Sequence, residues 1–245
     1  MEKGNYLITT RPAEKSRQTV VADCFYVKNI PLTRIVENID INEFKHHIEE
    51  YSPDFIVITS SIGSQIFMRA GVSGNFTIMC IGKKTAEPFI DSRFKVLVAK
   101  EQNSTGLSTL VSKHATKTSR IALCRSRQHN EILDKYLASN SFAYRCFDLY
   151  DIVEVHPPDL EAAVIDQECR GIIITSSMEA RSLSKELGSK LNSVQLSKKI
   201  FCIGRPTYEA ARRLGLNCEA TNNESDVAAI IEEISKKHCN SGEWI

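Results

Sequence analysis

The chain has 245 residues, 42% of them hydrophobic and 25% charged, a composition that can bury a core without disulfide or metal staples. Its formal net charge is +1, so bulk charge gives no case for nucleic-acid binding. No apolar run approaches the roughly 18 residues of a membrane span, and MEKGNYLITTRP at the N-terminus has no signal-peptide core; a cytoplasmic protein is expected.

Short apolar runs alternate with helical patterns. Tyr6 to Thr10 reads as a buried strand, and Pro12 sits where a first helical turn tolerates it. Phe25 to Val27 is a second strand. Ile41, Phe44, Ile48 and Tyr51 recur at helical spacing. Phe55 to Ile58 is a strand too apolar to be half exposed, and Ser61 to Ala70 a helix opened by a serine cap. Strands follow at Ile78 to Ile81 and Lys95 to Val98, helices at Lys84 to Ile90 and Ser104 to His114.

The pattern then restarts. Ile121 to Cys124 is a strand, Glu131 to Ala138 a helix, Phe142 to Phe147 a strand and Leu160 to Glu168 a helix. Gly171 to Ile174, Ile200 to Ile203 and Cys218 to Ala220 are strands; Ser177 to Leu187, Thr207 to Leu214 and Ser225 to Lys237 are helices. Glu224-Ser225-Asp226 is good cap chemistry for the last helix, and the tail from Cys239 reads as frayed. Continuous apolar strands alternating with helices predict parallel sheets covered on both faces.

The two halves echo each other. ITSS occurs at Ile58 to Ser61 and at Ile174 to Ser177; CIGKKT at Cys80 is matched by CIGRPT at Cys202; LITTR ends at Arg11 and IALCR at Arg125. Signals recurring in one order at nearly constant spacing indicate two copies of one five-stranded unit. In open parallel sheets, ligands bind where strands end and helices begin. Ser60, Ser61, Thr85, Ser176, Ser177 and Thr207 fall at such places and suit carboxylates or phosphates; helix capping is the plainer alternative for each. Arg11 and Arg125 end strands, where a guanidinium can fork to a carboxylate or be a solvated loop residue.

Other chemistry is poorly supported. CIGKKT lacks the phosphate-loop spacing and no G-x-G-x-x-G occurs. There is no G-x-S-x-G elbow, and the histidines show no metal-ligand spacing, so no cofactor or metal is expected. The 8 cysteines form no C-x-x-C pair and read as small buried hydrophobes in a reducing compartment. Such a chain is either an enzyme that imposes geometry on a reactive substrate or a two-domain binding module for an anionic small molecule. A nucleotide-dependent transferase is a weaker third reading.

Two matched α/β units, with LITTRP, ITSS, CIGKKT, DLYDI and CIGRPT…AARRLGL in that order, resemble the uroporphyrinogen-III synthase family over roughly residues 6–235. The resemblance implies two similar flavodoxin-like domains, each a parallel five-stranded sheet flanked by helices. One would hold 1–34 with 150–245 and the other 35–149, joined through segments near Pro31 to Val36 and Tyr150 to Val155 that form a hinge over a cleft. It implies a cofactor-free lyase that cyclises hydroxymethylbilane, inverting ring D with loss of water. It makes Tyr150 an acid or hydrogen-bond donor to the departing hydroxyl. It puts the family's threonine on Thr207, with Thr85 as counterpart, its serines on Ser60 and Ser176, and a lysine on Lys199. It further implies a monomer that receives substrate from the preceding deaminase, without nucleic acid or membrane.

Overall fold

The computed structural model describes residues 4–16, 24–221 and 227–239. The chain packs as two compact units, Met1–Ile35 with Val153–Ile245, and Val36–Ile152. In chain order the elements are β1 (Tyr6–Thr9), β2 (Tyr26–Asn29) and β3 (Thr33–Glu37), then α1 (Ile41–Tyr51), β4 (Phe55–Ile58) and α2 (Ser61–Ala70). Next come β5 (Thr77–Cys80), α3 (Lys83–Ala86), β6 (Lys95–Val98), α4 (Ser104–His114), β7 (Arg120–Ser126), α5 (Ile132–Ser139) and β8 (Ala143–Glu154). The chain continues through α6 (Leu160–Ile165), β9 (Cys169–Ile174), α7 (Ser177–Leu187) and α8 (Leu191–Ser197). It ends with β10 (Lys199–Cys202), α9 (Gly204–Arg213), β11 (Cys218–Ala220) and α10 (Val227–His238).

The first unit carries a sheet in the order β11-β10-β9-β1-β2, with all four ladders parallel. Strand periodicity divides its core in two. Ile8, Ile172, Ile174 and Ile200 face the helices that carry Leu160, Leu183, Val194 and Ala211. Leu7, Val27, Ile173 and Phe201 face Ile230, Ile231 and Ile234 of α10. Strands apolar on both faces are what a parallel sheet wrapped by helices requires.

The second unit's sheet runs β3-β8-β7-β4-β5-β6. Val57, Met79, Ile121 and Leu123 pack with Leu107 and Val111 of α4 and Leu133 and Leu137 of α5. Elsewhere in this unit Phe44, Phe67 and Phe89 meet edge to face. Helix ends are chemically marked. Asp40 caps α1 through the amides of Asn42 and Glu43, Asn103 caps α4 through Gly106, and α2 stops at Gly71 in the left-handed region.

Two expectations need correction. The second sheet has six strands and is mixed, not a parallel sheet of five. The extra strand is Thr33–Glu37, where a linker segment was expected; with Arg34 and Glu37 exposed and only Ile35 and Val36 half-buried between them, it has no apolar run to announce it. The cysteine reading is also incomplete. Cys80, Cys124 and Cys202 are buried free thiols, but Cys24 and Cys239 form a disulfide with Cα atoms 5.6 Å apart. That spacing is in the ordinary range for a bridge. The bond ties the end of α10 to the entry of β2 beside the Leu7–Phe201 core. The cap expected at Glu224-Ser225-Asp226 and the tail beyond Cys239 lie outside the described residues. Among the described residues, no helix is long and apolar enough to cross a membrane.

The bridge closes a loop spanning 215 residues of sequence, so it removes much freedom from the unfolded chain. Reduction, or Cys24→Ser, is expected to lower unfolding free energy by about 2–4 kcal/mol. Denaturant midpoints of the oxidised and reduced protein measure it; equal midpoints would contradict the bridge.

Candidate active site

Parallel pairing brings the carboxyl ends of β8, β7 and β4 side by side in the second unit. Ile58 is level with Cys124, so Ser60 and Ser126, each two residues further on, lie on the same face of the sheet. β8 then breaks step. Arg125 pairs with Asp148 but Ser126 pairs with Tyr150, so Leu149 is the extra residue of a bulge. In a regular ladder Leu149 would stand beside Ser126 and Tyr150 would point to the other face. The bulge re-aims the tyrosine toward Ser126 and Ser60.

Tyr150 is 2% exposed, and its hydroxyl donates to Ser60 Oγ at 2.9 Å. Ser60 is the N-cap of α2, where its Oγ accepts from the Gly63 amide at 3.0 Å. One hydroxyl therefore starts a helix and holds the phenol. Ser126 Oγ donates to Gln128 Oε1 and accepts from the Gln128 amide. Gln128 in turn accepts from the Ile152 amide and donates to Asp151. Burial pushes the Tyr150 pKa up, while hydrogen bonds with Ser60 and Ser126 pull it partly back. The phenol is thus kept protonated and able to donate at neutral pH.

The neighbouring loop is locked to this one. Ser64 Oγ donates to the Thr85 carbonyl at 2.6 Å, and Thr85 is buried at the start of α3. Arg125 is 6% exposed, with its guanidinium on Asp134 and Asp148. Burial works against its charge, but Asp134 and its neighbours outweigh that and raise its pKa. An arginine so engaged holds α5 to β7 and β8.

In the first unit, Arg11 follows β1 and its carbonyl accepts from Asn29 Nδ2. Thr175, Ser176 and Ser177 follow β9, with Ser177 exposed and Ser176 capping α7 through the Glu179 amide. Thr207 is buried in the first turns of α9. Lys199 does not join them. It stands at the amino end of β10, level with Gly171, and its Nζ is 3.6 Å from Glu219.

The sequence reading missed Glu179. It is 1% exposed and accepts from Thr10 Oγ1, the Thr175 amide, Thr175 Oγ1 and Ser176 Oγ. A signal existed: Ser176-x-x-Glu179 is the spacing of a capping box. Ser126 and Gln128 were also missed, because only the bulge brings Tyr150 to them. Among the described residues, no group of three or more His, Cys, Asp or Glu is gathered as a metal site would need.

The family model described as Uroporphyrinogen-III synthase HemD matches residues 25–232. The chain belongs to the uroporphyrinogen-III synthase family. It is an enzyme of tetrapyrrole synthesis, and the family's substrate is the small molecule hydroxymethylbilane. Two solved structures share its fold. A mutant uroporphyrinogen III synthase from Thermus thermophilus is 15% identical with a TM-score of 0.65, the match covering 98% of this chain and 100% of that one. Uroporphyrinogen-III synthetase from Helicobacter pylori is 12% identical with a TM-score of 0.64, covering 95% and 99%. At such identities these structures bear on the fold, and the family model carries the assignment. No curated protein matches the chain in sequence.

Tyr150 is expected to ionise above the ordinary tyrosine range, and higher still in Ser60→Ala, because the hydrogen bond that favours the phenolate is lost. The difference in alkaline absorbance titration between the wild type and Tyr150→Phe isolates this group. Titration at or below the ordinary value would contradict the site geometry. Ser60→Ala should also cost about 1 kcal/mol of stability as a lost cap.

Proposed function

We propose that Tyr150 is the group that assists departure of the substrate hydroxyl when this synthase cyclises hydroxymethylbilane to uroporphyrinogen III. The observation that carries the reading is the hydrogen bond from the Tyr150 hydroxyl to the α2 cap, Ser60. It presents a protonated, pre-oriented phenol among the strand ends where ligands bind in such sheets. When substrate enters, the phenol's one proton turns from Ser60 Oγ toward the departing oxygen. As the C–O bond breaks, that proton leaves with the hydroxyl as water. The Ser60 hydroxyl then donates to the phenolate while still accepting from the Gly63 amide.

The substrate carries eight carboxylates and closes its ring with little need of further acid–base groups, so the remaining task is to bind anions and fix geometry. In this reading Ser61 and Thr85 in the second unit, and Arg11, Ser177 and Thr207 in the first, supply contacts to the carboxylates. Arg125, Ser176 and Lys199 support their sheets. The enzyme works as a monomer in the cytoplasm, on substrate handed over by the deaminase that makes it. Each unit is, in this reading, a flavodoxin-like half.

Incubation with freshly made hydroxymethylbilane, with isomers I and III resolved, tests the reading. Isomer III is expected to dominate; isomer I alone, at the uncatalysed rate, would overturn it. Tyr150→Phe is expected to lower kcat by roughly 100-fold and to shift the unfolding midpoint little. Unchanged turnover would remove Tyr150 from the mechanism.

A further inference from the structure

Among the described residues Glu179 is the only buried carboxylate. Its four donors come from three different places. Thr10 Oγ1 reaches it from the end of β1 at 2.8 Å, and the Thr175 amide from the end of β9 at 2.9 Å. The Thr175 hydroxyl donates at 2.7 Å and the Ser176 hydroxyl at 3.1 Å. A carboxylate has about four lone-pair sites, so these neutral donors saturate it. Bonds to an ionised acceptor are roughly twice as strong as neutral ones, and the positive end of the α7 dipole adds to them.

The place matters as much as the bonds. β1 pairs with β2 on one side and β9 on the other, so β1 and β9 flank the point where the chain's winding reverses. External ligands bind in that crevice in sheets of this kind. Helix capping alone does not account for the arrangement. A capping-box glutamate reaches back to the amide of the N-cap residue, whereas Glu179 takes the amide one residue earlier, and a hydroxyl from another strand. The other ITSS copy has no such group: the corresponding position on α2 is Gly63, where an added Cβ would come within 3.2 Å of Ser60 Oγ and Ile58.

We propose that the Glu179 carboxylate is a built-in ligand that fills the anion pocket at the β1–β9 crevice, so that this pocket refuses a substrate carboxylate. Thr10, Thr175 and Ser176 then act by fixing the strand ends instead of touching substrate. Removing the side chain would leave a pocket for one small monocarboxylate. Lys15 lies within electrostatic reach, and the Glu179 charge partly offsets the burial and the Arg11 charge that lower its pKa.

Glu179→Ala, Glu179→Gln and the wild type are compared in thermal unfolding with rising sodium formate, using sodium chloride as the ionic-strength control. Glu179→Ala is expected to melt lower than the wild type and to regain the loss with saturable dependence on formate. The wild type and Glu179→Gln, whose pockets stay filled, should respond to formate as to chloride. Should Glu179→Ala fail to fold, its refolding yield in formate against chloride gives the same comparison. A formate effect no greater than the chloride effect on Glu179→Ala, an equal formate response in Glu179→Gln, or undiminished stability of Glu179→Ala would overturn the proposal. The readout needs no turnover, so its failure is distinct from failure of the synthase mechanism.

Discussion

Parallel pairing is the constraint on which the rest depends. Because neighbouring strands in the two main ladders run the same way, the loops that follow them leave from one edge of each sheet. The same edge collects helix N-termini, with their unsatisfied amides. Short hydroxyl side chains there meet two demands at once: they cap the helix, and their remaining hydrogen-bond capacity is free to hold another group. Ser60 does both when it accepts from Gly63 and from Tyr150.

The repeated ITSS is one scaffold put to two uses. In the second unit the cap holds a phenol that can give up a proton. In the first the cap holds a carboxylate that cannot be displaced without leaving several donors stranded. The difference comes from the third helical position, glycine in α2 and glutamate in α7. A side chain at Gly63 would crowd Ser60, while at Glu179 it reaches across to β1. Two copies of one pattern thus keep the same strand end and helix cap while the group held there differs.

Much of this was legible in the sequence because it follows local rules. Ile41–Tyr51, Ser61–Ala70, Ser104–His114 and Ser177–Leu187 are helices with the expected bounds, since apolar spacing and caps are local. The buried strands FIVI and GIII announce themselves by composition. The features that were not legible depend on distant pairing. The bulge at Leu149 exists only in register with β7. The disulfide joins residues at opposite ends of the chain. Lys199 follows from the resemblance, yet the register of β10 puts it at the wrong end of its strand for the proposed site. Arg125 looked like a ligand for a carboxylate and is one, but the carboxylates are the protein's own.

A double-mutant cycle in turnover, with Ser60→Ala, Tyr150→Phe and the pair, tests most directly whether Tyr150 acts through the geometry set by Ser60. If the phenol works from the Ser60 cap, removing Ser60 should slow the wild type yet cost almost nothing once the phenol is gone. Independent, additive losses in kcat would contradict the account.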